Sequence, residues 1–228
     1  MKHRRPGTTI PAVGPLTSES RSLLRDTLEW LGLRPSPGLG DRLGQLAVEL
    51  AEWGPQLGLS SIGDANLSLV RHVLDSLLLL TVVEQPSVLA DVGTGAGVPA
   101  LALALAWPDT QVVAIDSRHR SGWLVIRLAE RLSTGNVTHI CARARDPKVV
   151  AELGGRADLV CARGLARVER AVALCSPLAS RDGTVAILGG PDLDGLPARE
   201  GWHAEVVCLP GTDWRRRILT VRGRAAAH

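Results

Sequence analysis

The chain has 228 residues, of which 45% are hydrophobic and 21% charged, so it is long enough to bury a full core and is typical of a globular protein. No stretch approaches the roughly 20 apolar residues of a membrane span, and four scattered cysteines at no metal-ligand spacing exclude a disulfide framework and a zinc site. The net charge of +3, carried mostly by arginine, allows an anionic partner. We therefore expect a cytoplasmic protein that binds neither a metal nor a membrane.

The amino-terminal part of the chain predicts a loose arm followed by helices. Residues 1–16 are rich in proline and glycine and show no periodicity. Leucines then recur at helical spacing, and the third run is apolar nearly all round, which predicts a buried helix. The predicted helices span residues 17–31, 39–53 and 67–80. We expect a flexible arm over 1–16, a helical extension over 17–85 and a second domain over 86–228.

From residue 87 onward, short apolar runs alternate with helical ones, which predicts an α/β fold with a doubly wound, mostly parallel sheet. The predicted strands span residues 87–92, 111–116, 137–141, 157–162 and 184–188. The helices between them are predicted over 98–107, 120–132 and 165–178. Two further strands, 203–209 and 215–221, are separated only by a turn, so we expect an antiparallel carboxy-terminal pair that closes one edge of the sheet.

A glycine-rich turn, Gly93-Thr94-Gly95-Ala96-Gly97, follows the first predicted strand and precedes a helix. Ligands of open α/β sheets bind at this end of the strands, and glycine lets a ligand approach the backbone closely. The dinucleotide fingerprint GxGxxG does not fit, because the third glycine comes one residue early and Val98 stands in its place. With Asp91 leading, the pattern is typical of enzymes that use S-adenosylmethionine, whose class I members have this Rossmann-like fold.

Asp116 ends the second predicted strand, about 20 residues past the glycine turn, where a carboxylate can accept hydrogen bonds from both ribose hydroxyls of a nucleoside. Turn, strand context and carboxylate together predict a nucleoside cofactor. The alternative is a tight turn followed by a surface aspartate.

The segment from Val70 to Ser76, which reads Val-Arg-His-Val-Leu-Asp-Ser, resembles the signature of the small-subunit ribosomal RNA guanine-N7 methyltransferases, the RsmG or GidB family. Further matches follow in the family's order and extend the resemblance over about residues 17–222. They are Trp53, the run from Asp91 to Pro99, Asp116-Ser117, Arg143-Ala144 and Ala162-Arg163.

This resemblance implies a monomeric methyltransferase that transfers a methyl group from S-adenosylmethionine to guanine N7 of 16S ribosomal RNA. Together with our own assignment of Asp116, the expected cofactor contacts are Asp91, Gly93, Gly95, Gly97, Val98, Asp116, Ala144, Arg145 and Arg163. The candidate catalytic residues on the substrate side are Arg71, His72, Asp75 and Ser76. The alternative for His72 is a hydrogen bond to a neighbour such as Asp75, and for Asp75 and Ser76 it is helix packing. Guanine N7 carries a lone pair and no proton, so positioning can drive the reaction without a general base.

Contacts with RNA are predicted for three arginines. Arg120 replaces a family lysine and keeps its charge, whereas Arg216 and Arg217 follow Trp214 on the last predicted strand, where they could contact phosphates. The alternative for this pair is protection of an edge strand.

The chain departs from the family pattern at several positions. Gly54 and Gly58 stand where the family has asparagine, Arg145 where it has glutamate and Gly189 where it has lysine. Two alternatives therefore stay open: a diverged methyltransferase that acts on another RNA or a small molecule, and a non-catalytic relative that binds nucleosides or RNA.

Overall fold

The computed structural model describes residues 13–33, 38–189 and 199–222. The first two predicted helices are α1 (Ser18–Trp30) and α2 (Leu39–Gln56). Helix α1 begins after Thr17 because the hydroxyl of this residue accepts a hydrogen bond from the Ser20 amide at 3.2 Å. Most of the predicted arm, residues 1–12, lies outside the described residues.

The third predicted helix is present and buried, but it is not a regular α-helix. The segment is divided into α3 (Ala65–Ser68), a π-helical stretch (Leu69–Leu74), α4 (Asp75–Leu77) and a 3₁₀ turn (Leu78–Thr81). Apolar residues such as Leu69 and Leu77 are fully buried. The irregular stretch coincides with the Arg71-His72 pair, and π-helical turns often occur at functional sites.

Seven strands form one sheet in the order β3-β2-β1-β4-β5-β7-β6, which confirms the predicted doubly wound fold. The strands are β1 (Val88–Val92), β2 (Gln111–Ile115), β3 (Val137–Ile140), β4 (Ala157–Arg163), β5 (Ala179–Gly189), β6 (Trp202–Cys208) and β7 (Arg215–Arg222). Strands β1 to β5 are parallel, and β7 pairs antiparallel with both β5 and β6. The antiparallel pair is therefore confirmed, with β6 at the edge of the sheet and β7 inside it.

Helices cover both faces of this sheet, as its apolar strands require. They are α5 (Ala100–Ala106), α6 (His119–Arg131), α7 (Pro147–Leu153) and α8 (Val168–Cys175). Helix α7 was not predicted, because it is short and buries only Val149 and Leu153. The 3₁₀ turn Ser176–Leu178 ends the helical stretch predicted over 165–178.

Two clusters of buried side chains divide the core by face. One joins α1, α2 and the π-helical stretch to α5, α6 and the sheet, so the amino-terminal helices share a core with the strands. The other packs α7 and α8 against the opposite face. No helix in the described part of the chain is long and apolar enough to cross a membrane.

Candidate active site

The glycine turn lies at the carboxyl end of β1, where all three glycines have positive φ angles, 77°, 61° and 99° for Gly93, Gly95 and Gly97. Space is also limited at Gly93, because a Cβ atom there would lie 2.7 Å from Leu165 Cδ1. At Gly97, a Cβ atom would collide with Leu101 of α5. The pattern of the turn is therefore set by both backbone conformation and packing.

Asp91 lies beneath the turn and fixes it to the following helix. Its side chain is fully buried and accepts a hydrogen bond from the Ala100 amide at 3.0 Å, at the start of α5. Burial raises the pKa of this carboxyl to about 6. The structure thus gives Asp91 a supporting position under the turn, and Val98 is likewise buried in the core.

Asp116 follows β2 and meets the turn directly. Its Oδ2 accepts from the Gly95 amide at 3.0 Å and from Arg118 Nη2 at 2.8 Å, while Oδ1 accepts from the amide and Nε of Arg118, both at 2.9 Å. Burial acts to raise the pKa of Asp116, but the hydrogen bonds from Arg118 outweigh it and lower the pKa below its usual value. The site carboxylate is thus ionised and held against the turn.

A cleft of about 1290 Å³ opens beside this carboxylate. Four of the predicted cofactor residues line it, namely Gly93, Asp116, Ala144 and Arg145. Its other walls come from the loops after β2, β3 and β4, including Arg118, Arg143 and Leu165. The cleft is large enough for S-adenosylmethionine, and an ionised carboxylate beside a glycine backbone fits the nucleoside of this cofactor. The other five predicted cofactor residues, Asp91, Gly95, Gly97, Val98 and Arg163, are not among its lining residues.

Asp75 is the centre of a buried ionic cluster at the end of the π-helical stretch. It is fully buried, and its Oδ2 accepts from Arg163 Nη1 at 3.0 Å. Its Oδ1 accepts from Arg216 Nε at 2.6 Å and from Trp214 Nε1 at 2.8 Å. One carboxylate therefore joins the ends of β4 and β7 to the helical signature, and two guanidinium groups surround it.

His72 lies one turn before Asp75 and uses both of its ring nitrogens. Nδ1 lies 3.2 Å from Arg163 Nη2 and 3.1 Å from the Arg71 carbonyl oxygen, and Nε2 forms a hydrogen bond with the Ser60 hydroxyl at 2.8 Å. Burial, followed by the positive charge of Arg163, lowers the pKa of His72 to about 4. At neutral pH the ring is uncharged and has no free lone pair on nitrogen, so the contacts are those of a positioning residue.

The other two signature residues differ in exposure. Ser76 is buried and its hydroxyl donates to the His72 carbonyl oxygen, a local bond that satisfies a backbone group in the irregular helix. Arg71 is exposed, and its guanidinium lies over the Trp214 ring, 5.0 Å from the centroid.

A smaller cavity lies between the signature residues and the loop that borders the cofactor cleft. Arg71, His72, Arg163, Trp214 and Arg216 are among its lining residues. It shares Gly164, Leu165 and Ala166 with the larger cleft, so the loop after β4 separates the two and borders both. The structure therefore brings the predicted substrate-side arginine and histidine next to the cofactor cleft, with Arg163 on their side of the wall.

The three arginines predicted to contact RNA occupy different environments. Arg216 belongs to the Asp75 cluster and also donates to the Gly189 carbonyl oxygen at 2.9 Å. Arg217 is half-buried on the same strand, and Arg120 is exposed at the start of α6. The alternative prediction, that Arg216 and Arg217 protect an edge strand, is wrong, because β7 is hydrogen-bonded to a strand on each side.

Three residues of the site were missed in the sequence. Arg118 could have been found, because a cation two residues after a strand-end aspartate can bend back onto it. Trp214 was noted only as part of a basic run, although its indole N–H donates to Asp75. Ser60 carried no signal, since only the fold brings its hydroxyl to His72.

The doubly wound sheet, the glycine turn and the carboxylate after β2 define a class I, S-adenosylmethionine-dependent methyltransferase. A methyltransferase from Geobacter sulfurreducens has a similar fold, with a TM-score of 0.56 and 16% sequence identity over 87% of this chain and 97% of that one. The chain belongs to the GidB family, rRNA small subunit methyltransferase G, whose model matches residues 41–195. The predicted fold class and family are thus confirmed.

Full-length relatives agree with this assignment. The Ribosomal RNA small subunit methyltransferase G of Roseiflexus sp. (strain RS-1) is 30% identical over 215 residues, which cover 88% of this chain and 90% of the relative. The protein of the same name from Sorangium cellulosum (strain So ce56) is 30% identical over 196 residues, covering 85% of this chain and 81% of the relative.

Proposed function

We propose that this protein transfers a methyl group from S-adenosylmethionine to N7 of a guanine in 16S ribosomal RNA. The observation that carries the proposal is the shared wall between the two cavities, formed by Gly164, Leu165 and Ala166. A nucleoside-sized cleft thereby adjoins an arginine-rich cavity, and most lining residues of both fall within the family match over 41–195. The names of the relatives specify small-subunit ribosomal RNA as their substrate.

The cofactor side is built for a nucleoside. Gly93 lines the cleft with its backbone, Asp116 offers its carboxylate to ribose hydroxyls, and Ala144 with Arg145 forms the wall next to the base. When bound, S-adenosylmethionine supplies an electrophilic methyl group on its sulfonium. In this structure, Arg118 donates hydrogen bonds to the Asp116 carboxylate. The Arg118 side chain is about half exposed, so it can move aside for the ribose.

On the substrate side, the chain supplies positive charge and position rather than a base. Arg71, Arg163 and Arg216 line the smaller cavity, and Asp75 is the only carboxylate among the described residues that pairs with any of them. Such a cavity attracts the phosphates and purine acceptor atoms of RNA. Because N7 has no proton to lose, the neutral His72 with both nitrogens engaged is compatible with the chemistry, and orientation of the guanine is the main requirement.

The remaining assignments are extensions of the same proposal. We infer a monomeric, cytoplasmic enzyme whose partner is the small ribosomal subunit. Residues 17–85 act as the substrate-side helical extension and 86–228 as the methyltransferase domain, with Arg120, Arg216 and Arg217 on the RNA side.

The decisive experiment maps N7-methylguanosine on 16S RNA from cells with and without the gene. We expect one modified position to be lost in the deletion strain and restored by the wild-type gene. Asp116→Ala should fail to restore it, whereas Asp109→Ala should succeed, because this exposed residue lies at the opposite end of β2.

A second measurement separates the open alternatives. Purified protein is incubated with labelled S-adenosylmethionine and intact small subunits or naked 16S RNA. Calorimetric binding of the cofactor without labelling of either RNA would indicate a diverged methyltransferase or a non-catalytic relative. Absence of cofactor binding would contradict the methyltransferase assignment itself.

A further inference from the structure

Helix α6 carries a stripe of arginine and tryptophan that the proposed chemistry does not use, exposed at Arg120 and Trp123 and half-buried at Arg127. Arg120, Trp123 and Arg127 are spaced i, i+3 and i+7, which places them on one face of the helix. Trp123 is 48% exposed and packs edge-on against Trp53 of α2, with ring centroids 5.4 Å apart. We call Trp53, Arg120, Trp123 and Arg127 the α6 stripe.

The positive charges of the stripe have no carboxylate partner among the described residues. The Arg127 guanidinium lies over the rings of Trp53 and Trp123, 5.0 and 5.4 Å from their centroids, and its Nε has no hydrogen-bond acceptor. Glu49 contacts Trp53, but Arg131 already pairs with this glutamate at 2.7 Å. The stripe therefore presents two cations without a carboxylate partner in the described part of the chain, on either side of an exposed aromatic ring.

The stripe begins beside the candidate active site. Helix α6 starts just after Asp116 and Arg118, on the cofactor side. The Arg120 guanidinium lies next to Gly58, 3.7 Å from where a Cβ atom would stand. The same loop continues to Ser60, whose hydroxyl contacts His72 on the substrate side. A strand of RNA that places one nucleotide in the smaller cavity can thus continue over this loop onto α6.

We propose that the α6 stripe binds a single-stranded segment of the RNA substrate next to the methylated nucleotide. Trp123 stacks on an unpaired base, and Arg120 and Arg127 contact phosphates on either side of it. This inference rests on the proposed function for the identity of the RNA. Continuity with the substrate side through the Gly58–Ser60 loop favours RNA over a protein partner, and two cations without a carboxylate partner among the described residues complement phosphates.

The test measures binding of a fluorescein-labelled single-stranded RNA oligonucleotide and of naked 16S RNA. Trp123→Leu is compared with Trp30→Leu, since Trp30 is 45% exposed on α1. We expect Trp123→Leu to weaken binding about tenfold, the effect of removing the stacking surface for one base. Trp30→Leu should bind as the wild type does.

Charge is tested in the same way. Arg127→Gln is compared with Arg181→Gln, because Arg181 is exposed at the opposite end of the sheet, near the start of β5. Arg127→Gln should lower the slope of log affinity against log salt by about 0.7, because one phosphate of the RNA is no longer neutralised by the protein. Arg181→Gln should leave the slope unchanged.

Conservative variants separate contact with RNA from a packing role. Trp123→Phe keeps an aromatic face and should retain most of the affinity, and Arg127→Lys should retain the salt slope. Thermal unfolding of every variant shows whether α2 and α6 still pack. In methylation assays the stripe variants should raise KM for RNA with little change in kcat.

Equal affinities for Trp123→Leu and Trp30→Leu would overturn the stripe as an RNA site, as would an unchanged salt slope in Arg127→Gln. Loss of affinity in Trp123→Phe equal to that in Trp123→Leu would assign the residue to packing and overturn the stacking role. If the wild type binds the oligonucleotide through the stripe but methylates no 16S RNA, the result supports the stripe as an RNA-binding site and contradicts 16S RNA as the substrate.

Discussion

The cofactor cleft and the Asp75 cluster adjoin each other but are assembled in opposite ways. In the cleft, the hydrogen bonds of Asp116 reach only 2 residues along the chain to Arg118 and 21 back to Gly95. In the cluster, Asp75 contacts Arg163 and Arg216 across 88 and 141 residues. The first region is made of backbone and nearby side chains, whereas the second exists only when the whole sheet is in place.

This difference predicts a different response to mutation. The carboxylate of Asp116 lies at the wall of an open cleft, so its loss should affect ligand binding more than folding. The carboxylate of Asp75 is fully buried and neutralises two guanidinium groups, so its loss should affect folding first. The two aspartates therefore offer a direct comparison between a binding group and a structural one within the same site.

The largest effect is expected for Asp75→Asn. The amide keeps the size of the side chain but removes its charge, and two poorly hydrated guanidinium groups then repel each other. We expect the free energy of unfolding to fall by about 3 kcal/mol, the lower end for a broken buried pair. This value applies because the side chains of Arg163 and Arg216 are still 16% and 15% exposed. Chemical denaturation at neutral pH measures it.

Asp182→Asn is the matched control, because this exposed aspartate near the start of β5 undergoes the same chemical change. It should alter the free energy of unfolding by no more than about 0.5 kcal/mol. If Asp75→Asn were equally harmless, the cluster would not hold β4, β7 and the helical signature together, and the contrast with the cleft would disappear.

A smaller effect, of a different kind, is expected for Asp116→Ala. Loss of the acceptor for two ribose hydroxyls should weaken S-adenosylmethionine binding by about a hundredfold, since hydrogen bonds to a charged group contribute at least about 1.5 kcal/mol each and displacement of Arg118 from the carboxylate offsets part of this gain. The free energy of unfolding should fall by only about 1 kcal/mol, because the ion pair with Arg118 is partly exposed. Titration calorimetry and chemical denaturation give the two numbers.

Asp109→Ala serves as the control for both measurements. Unchanged cofactor affinity in Asp116→Ala would remove this residue from the binding site. A loss of stability comparable to that of Asp75→Asn would show that the carboxylate is structural after all, since it also holds the Gly95 amide.

The same contrast explains what could be predicted from the sequence. Gly93, Gly95 and Gly97 could be predicted as site residues because the conformation of a turn depends on consecutive residues. Asp116 could be predicted because it ends an apolar strand. The fold class followed from the alternation of strands and helices. These features are local, so their signals are short-range.

The contacts of the Asp75 cluster could not be predicted, because they depend on the order of strands in the sheet. The sequence indicated that β6 and β7 pair, but not that the later strand lies between β5 and β6. That insertion puts Arg216 against Asp75 and not on an edge facing solvent. The direct roles of the signature residues in catalysis and of Arg217 in RNA binding stay predictions.

The smallest effect concerns His72, which contacts Arg163 of the Asp75 cluster. Its pKa is lowered to about 4 in the folded protein, against 6.5 in an unfolded chain, because it is buried next to Arg163. Below pH 6.5 His72 is therefore protonated in the unfolded chain but stays neutral in the folded protein, so the free energy of unfolding decreases as the pH falls toward 4. His72→Gln removes this titration, so the free energy of unfolding of the wild type should fall by about 1 to 2 kcal/mol more than that of the variant between pH 7 and pH 5.

Asp91 titrates in the opposite direction, because its raised pKa lowers stability as the pH rises from 3.8 to about 6. This effect is the same in both proteins and cancels from the difference. Denaturation of the wild type and of His72→Gln at several pH values gives the two dependences of stability on pH. Equal dependences would mean that His72 is hydrated in solution and not buried against Arg163.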